Sequence, residues 1–425
     1  MDSVARGTVI NLVTRLVGVG LVLALTTVTA RMGTETQGAF AVFTSVEGVW
    51  LALLSGFGIA LARRVSHHGE QPRALVAAVV LACVALGLLG ALVLWGVAAW
   101  GPAAYASLWI LALGAPLALL APNLAGLWLG EGRMAPMARL TVAPPLLALL
   151  AVLALGAWQA LTLPALLGAW VGGKAVVGAA ALVVLWRGAR LARPDMAALG
   201  RELPLIAAIG LTNLIGLLNY RIGLFVIERV LGLSATGIYS IAIIVAELLW
   251  FVSGSLTQAA YGRIGTPDRA QAGSTTLRVV QLSVVALLPA APLLWLLAWW
   301  VVPRALGPAY AASLPLLAVL LPGVMLFGGG SALSAYFMNH AGAPRVPAQV
   351  AGGQLLLNAG LAWWLTPRLG MTGAALAASL SYGLGVLCMA WRFAHHAGLP
   401  LRRVLWPGAQ LTADLRTVLR LGSRR

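Results

Sequence analysis

Charged residues are scarce in this sequence. Lys, Arg, Asp and Glu make up 9% of its 425 residues, hydrophobic residues make up 61%, and the mean hydropathy is +0.94. Soluble domains carry roughly 25% charged residues, so this chain lacks the polar groups needed to cover a surface in water. The composition excludes an ordinary soluble domain and indicates a protein that lies in a lipid bilayer.

Cysteine and acidic residues are also rare. Cys83 and Cys388 are the only cysteines, and their apolar surroundings favour packed side chains over a disulfide or a metal site. The five histidines lack the spacing of metal ligands, and we find no phosphate loop, nucleophile elbow or other catalytic motif. We therefore predict that the chain is not an enzyme and needs no metal or cofactor.

Long apolar runs are abundant. About 20 apolar residues cross the hydrocarbon core of a bilayer, and these runs are too uniformly apolar for barrel strands. The first run is too long for a signal peptide, so we expect it to remain as a span. The sequence predicts an all-α membrane protein with about twelve transmembrane helices, near residues 8–31, 38–62, 74–99, 106–130, 137–158, 162–187, 204–228, 237–261, 276–301, 311–337, 346–366 and 371–393.

The net charge of +17 is explained by membrane topology. Most of the 28 basic residues lie in alternate loops and the two termini, whereas the intervening loops hold only Arg31, Arg229, Arg304 and Arg368. Basic residues accumulate on the cytoplasmic side of membrane proteins, which predicts that both termini are cytoplasmic. Because the basic residues lie between the spans, we predict no nucleic-acid partner.

The two halves of the sequence resemble each other. The segments EGVW at 47–50 and ELLW at 247–250 each follow a span-opening glycine, Gly38 or Gly237, and a short basic loop. Six spans separate them, so the repeat is parallel and predicts two six-helix bundles with a substrate cleft between them. We predict an N-terminal bundle at 1–190, a cytoplasmic linker at 191–203, a C-terminal bundle at 204–393 and a basic cytoplasmic tail at 394–425.

Five charged residues are predicted to lie within the spans. Each costs about 2.5–3.5 kcal/mol at the bilayer centre, so such residues face a cavity or a partner. Arg15 lies on a polar stripe with Asn11 and Thr14, which indicates a cavity-facing side chain; the alternative is that Arg15 extends to the cytoplasmic surface. The five are Arg15, Glu47, Lys174, Arg221 and Glu247.

Glu47 and Glu247 occupy matching places in the two halves. They either form structural ion pairs, with Arg15 or Arg221 as candidate partners, or carry a coupling proton. Asn219 and Gln258 are predicted as further polar residues that line the cavity. Three interior cations against two anions favour an anionic substrate, and we predict that Arg15, Arg221 and Lys174 bind it.

Glycine and proline mark further features of the spans. The pairs Gly126/Gly130 and Gly168/Gly172 have the spacing of close helix packing. The glycine run at 328–330, preceded by two prolines, predicts a broken helix and a gating hinge in the tenth span. The amphipathic tail is predicted either to lie on the anionic inner leaflet or to be frayed.

Several short motifs occur in order along nearly the whole chain. They are residues 7–66, with TARMG at 29–33, QGAF at 37–40 and GIALAR at 58–63, then LLNYRI at 217–222, GLSATGIYS at 232–240 and LGPAY at 306–310, and residues 336–345 and 367–376. Together these segments resemble the polysaccharide-transport (Wzx-like) flippases of the multidrug/oligosaccharidyl-lipid/polysaccharide exporter superfamily.

The resemblance implies a V-shaped pair of six-helix bundles in the bacterial plasma (inner) membrane. It implies that an undecaprenyl-diphosphate-linked oligosaccharide is flipped from the inner to the outer leaflet, with membrane lipids, a glycan polymerase and chain-length machinery as partners. Arg15 best matches the family's cavity cations; Arg221 matches less securely, since an acidic residue usual two positions later is replaced by Gly223. The alternatives are a cation-coupled multidrug exporter, a glycan polymerase or ligase, and a transporter-like scaffold.

Overall fold

The structure is a computed structural model that describes residues 2–68 and 72–405. Within those ranges every regular element is helical, and contacts divide the chain into two units, residues 1–217 and 218–425. The helices are α1 (Asp2–Arg31), α2 (Thr34–Leu53), α3 (Gly56–His68), α4 (Arg73–Trp100), α5 (Leu108–Ala118), α6 (Leu120–Gly130), α7 (Met134–Ala157), α8 (Leu163–Arg187), α9 (Met196–Leu231), α10 (Leu233–Glu247), α11 (Trp250–Ile264), α12 (Arg269–Ala305), α13 (Ser313–Gly329), α14 (Ser331–Asn339), α15 (Arg345–Leu369), α16 (Met371–Ala397) and α17 (Leu401–Leu405).

Eleven of the described helical segments are long and apolar enough to cross a membrane. The predicted span at 346–366 is not among them, although it is present as the 25-residue helix α15. This helix carries Gln354, Asn358 and Thr366 along one face, and all three are buried inside the second unit. These polar side chains make the helix less apolar than its neighbours. They are tolerated because they face protein and not lipid.

The order of elements is the same in both units. The second helical pass is broken in each, between α2 and α3 and between α10 and α11. The fourth pass begins with a 3₁₀ turn, Ala103–Tyr105 or Pro308–Ala312, and is broken again at Leu119 or Gly330. The predicted break in the glycine run of the tenth span is confirmed; its role as a gating hinge stays a prediction.

Helix α9 crosses the boundary between the units, which lies between Leu217 and Leu218. Leu199 and Ile206 from its first half are buried in the core of the first unit, and Leu191 from the predicted linker packs against the same core. We predicted a linker at 191–203, whereas contacts divide the chain further on, inside this helix. At the other end of the chain, α17 is anchored by the buried Val404, and the rest of the predicted tail, 406–425, lies outside the described residues.

One of the two predicted glycine pairs packs closely, and the other does not. A Cβ atom placed on Gly126 would lie 1.9 Å from the carbonyl oxygen of Gly58, and one on Gly130 would lie 2.7 Å from that of Ala62. These glycines therefore bring α6 against α3. The prediction for Gly168 and Gly172 is wrong, because a Cβ atom on either would meet nothing within 4 Å.

We expect Gly126→Ala to lower the free energy of unfolding by about 1–3 kcal/mol, the usual cost of an added methyl group in a filled core. The matched control is Gly168→Ala, which adds the same group in open space and gains helix propensity. Thermal unfolding of both variants in detergent gives the comparison. Equal melting temperatures would show that the contact between α3 and α6 is not rigid.

Candidate functional site

The first unit contains a buried ion pair between α2 and α8. The Lys174 Nζ donates to Glu47 Oε2 at 2.5 Å, and the Trp170 Nε1 donates to the same oxygen at 2.7 Å. Trp170 and Lys174 are four residues apart, so they share one face of α8. Gly173 allows α8 to approach α7, because a Cβ atom there would lie 2.6 Å from the Pro144 carbonyl oxygen.

Aromatic contacts hold this pair in place. The Lys174 ammonium lies 4.3 Å from the centroid of the Trp170 ring, a favourable cation–π distance. The Phe40 and Trp170 rings pack in a T-shaped arrangement at a centroid distance of 5.5 Å. The Glu47 side chain is 3% exposed, and its Oε1 is buried with no hydrogen-bond partner in the described residues. The carboxylate is therefore neutralised through one oxygen.

The second unit holds a different pair at the matching glutamate. Arg221 on α9 donates from Nη1 to Glu247 Oε1 at 2.9 Å and from Nη2 to Glu247 Oε2 at 3.3 Å. This forked arrangement is typical of arginine with a carboxylate. Both side chains are about a quarter exposed, at 23% and 24%, so protein encloses this pair less completely than the one in the first unit.

An aromatic recess lies beside the second pair and is lined in part by Glu247. Tyr220 packs on Trp250 at a centroid distance of 4.5 Å, and Phe327 packs on Tyr382 at 5.3 Å. The recess encloses about 330 Å³ of empty space, open solvent included. It is lined by Asn219, Tyr220, Gly223, Tyr239, Ile243, Ala246, Glu247, Trp250, Leu320, Val324, Asn358, Ala378 and Tyr382.

Asn219 links three helices at the base of this recess. Its Nδ2 donates to the backbone carbonyl oxygen of Ala351. Its backbone carbonyl oxygen accepts from Asn358 Nδ2 and from the Tyr382 hydroxyl. The predicted polar residue Asn219 therefore connects α9 to α15 and α16. Sequence reasoning missed Asn358 and Tyr382. For Asn358 a signal was visible, because polar residues at 354, 358 and 366 recur along one face of an otherwise apolar run.

The structure pairs four of the five interior charges. Glu247 lies against Arg221, one of the predicted partners, whereas Glu47 pairs with Lys174 and not with either arginine. Arg15 is exposed on α1 and has no acidic partner among the residues that the structure describes. Of the five interior charges, Arg15 is therefore the cation that remains available to an external anion.

The remaining predicted residues are dispersed. The Thr14 hydroxyl donates to the Ile10 carbonyl oxygen within its own helix, and Gln258 is exposed on α11. The side chain of Asn11 lies outside the described residues. In the described ranges, no three His, Cys, Asp or Glu side chains are grouped closely enough to hold a metal ion.

The fold is similar to that of several solved transporters. A multidrug resistance MATE family transporter of the MOP superfamily, in an inward-facing conformation, superposes with a TM-score of 0.73 at 16% identity, covering 89% of this chain and 95% of that one. The lipid II flippase MurJ, in an inward closed conformation, superposes with a TM-score of 0.71 at 13% identity, covering 94% of this chain and 89% of MurJ. This chain has the MATE and MurJ transporter fold.

A further structure with this transporter fold comes from Pyrococcus furiosus. It is a MOP superfamily transporter whose binding pocket is described as having reverse polarity, with a TM-score of 0.59 at 15% identity over 92% of this chain and 93% of that one. No protein-family model and no curated protein sequence matches this chain. Identities this low relate the folds and leave the substrate to be argued from the residues.

Proposed function

We propose that this protein is a flippase of the bacterial plasma membrane. It moves an undecaprenyl-diphosphate-linked oligosaccharide, such as an O-antigen, capsule or exopolysaccharide unit, from the inner to the outer leaflet by alternating access. The transporter fold supports a multi-pass carrier, and MurJ is a flippase that shares this fold. The predicted two six-helix bundles, V-shaped cavity and cytoplasmic termini belong to this proposal, as do the polymerase and chain-length partners.

The charge balance of the interior carries the proposal. Glu47 and Glu247 are each neutralised by a basic residue of their own unit. Arg15 remains as an exposed cation without an acidic partner in the described part of the chain. A guanidinium is suited to phosphate because its planar fork forms two charge-assisted hydrogen bonds. The interior therefore favours a diphosphate head group over a cationic molecule.

A multidrug exporter is the second candidate, because a MATE transporter shares the fold over most of both chains. A cationic drug needs an available interior carboxylate, and none of the four Asp residues lies within a predicted span. Both interior glutamates are already paired. A glycan polymerase or ligase is less well supported, since the solved structures with this fold are transporters.

Reconstituted vesicles can separate the two candidates. We expect the purified protein to move fluorescent undecaprenyl-diphosphate N-acetylglucosamine between leaflets, measured as fluorescence that membrane-impermeant dithionite can quench. We expect no movement of ethidium, a cationic drug, under an imposed proton or sodium gradient. Protein-free vesicles and vesicles with heat-inactivated protein provide the baseline. Ethidium transport without lipid movement would support the exporter instead.

A further inference from the structure

A sequence motif occurs twice in the second unit. Residues 297–304 read LAWWVVPR and residues 361–368 read LAWWLTPR, so six of eight positions are identical. The first motif ends α12 and the second ends α15. Each helix is followed within three residues by a glycine with positive φ, Gly307 at +120° and Gly370 at +62°. The repeated sequence thus forms the same local element twice.

Both copies present two tryptophans outward. Trp299 and Trp300 are 56% and 57% exposed, and Trp363 and Trp364 are 59% and 55% exposed. The inward face of each motif is small and buried. Its residues are Ala298 and Val302 in α12, and Ala362 and Thr366 in α15. Exposed indole rings at the end of a membrane helix are typical of the bilayer interface. There the apolar body of the ring contacts lipid and its N–H contacts water or head groups.

The arginine of each motif folds back over its tryptophan. The Arg304 Cζ lies 5.1 Å from the centroid of the Trp300 ring, and the Arg368 Cζ lies 4.8 Å from that of Trp364. Each guanidinium also donates from Nη1 to the carbonyl oxygen of the same tryptophan, at 2.7 Å and 2.5 Å. Both arginines are exposed. The cation is therefore held in a fixed orientation on an aromatic surface, which reduces the entropy lost when it binds an anion.

Both motifs lie at the same end of the second unit. Helices α12 and α15 run in the same direction because one pass, α13 with α14, lies between them and runs back. In the first unit the corresponding helix α4 ends with the exposed Trp100 and α7 is followed directly by the exposed Trp158, but no arginine follows either tryptophan. The combination of an exposed Trp pair and a pinned Arg therefore occurs in the second unit.

We propose that each Trp-Trp-x-x-Pro-Arg segment binds the phosphate of a phospholipid head group. The guanidinium contacts the phosphate, and the exposed indoles contact the glycerol backbone and upper acyl chains. With the cytoplasmic termini proposed above, Arg304 and Arg368 lie at the outer leaflet. The binding itself does not depend on that orientation. Anionic phosphatidylglycerol is the expected ligand, because it carries a phosphate without a compensating amine.

Lipid retention by the purified full-length protein tests this proposal. Native mass spectrometry with added phosphatidylglycerol should show two bound lipids that are lost one at a time in Arg304→Gln and Arg368→Gln and together in the double variant. Loss of a charge-assisted contact predicts an apparent affinity about tenfold weaker. The matched control is Arg229→Gln, which removes an exposed arginine at the end of α9 without a Trp pair.

The outcomes are distinguishable. Equal lipid retention by the wild type and the double variant would overturn the proposal, as would an equal loss in Arg229→Gln. Inorganic phosphate and glycerol 3-phosphate form a second arm, and phosphatidylethanolamine a third. If free phosphate displaces phosphatidylglycerol at equal concentration, the site is a phosphate site and not a lipid site. Because the altered arginines are exposed, we expect unchanged thermal unfolding in lipid-free detergent.

Discussion

Replacing Arg15 by alanine is expected to abolish translocation of the lipid-linked oligosaccharide while the protein remains folded and inserted. Arg15 is exposed and has no acidic partner in the described part of the chain, so its removal breaks no ion pair. It does remove the guanidinium that we propose contacts the diphosphate. Loss of a charge-assisted contact predicts a rate at least about tenfold lower, measured as surface polysaccharide in the strain of origin and as dithionite-accessible lipid in vesicles.

Two variants make this test specific. Arg15→Lys keeps the charge but loses the planar fork, so we expect partial activity. Arg139→Ala removes an exposed arginine from α7 in the same unit, changes the net charge equally and should leave transport intact. Normal surface polysaccharide in Arg15→Ala would show that Arg15 does not contact the substrate. Unchanged melting temperatures in all three variants would exclude misfolding as the cause.

Replacing Lys174 by methionine is expected to cause the largest loss of stability. The substitution removes the cation beside Glu47, whose side chain is only 3% exposed. Removing one member of a buried pair typically costs about 3–5 kcal/mol. The double variant Glu47→Gln/Lys174→Met removes both charges and should recover most of that loss. Thermal unfolding in detergent measures the four corners of this double-mutant cycle.

The second unit supplies an internal comparison. Arg221→Met leaves the same kind of carboxylate unpaired, but Glu247 is 24% exposed and is therefore less enclosed by protein than Glu47. We therefore expect a smaller decrease in melting temperature for Arg221→Met than for Lys174→Met. Equal decreases would contradict the view that burial, and not pairing alone, sets the cost.

The positions of the helices could be predicted from the sequence because length and apolar composition determine them. Their ends could not, because polar caps extend the helices beyond the apolar runs. Helix α12 begins at Arg269, seven residues before the predicted span, where the Asp268 side chain accepts from the backbone N–H groups of Ala270 and Gln271. The Gly330 break was also predictable, since three consecutive glycines weaken a helix.

The partners of the interior charges were harder to predict. A helix that is apolar on every side gives no hydropathy signal for its rotation, so nothing in the sequence directed Lys174 toward Glu47, 127 positions away. The same ambiguity explains the wrong prediction for Gly168 and Gly172, whose spacing is identical to that of Gly126 and Gly130. Arg221 was easier, because Glu247 lies only 26 positions away on the next helix.

The two glutamate pairs also limit how such a chain can change over time. Glu47 depends on a lysine from the sixth pass, and Glu247 depends on an arginine from the seventh. Substituting either member alone passes through a destabilised intermediate, so the two must be exchanged nearly together or not at all. Under the duplication that the sequence predicts, a glutamate can thus be kept at matching places in the two halves while its basic partner differs between them.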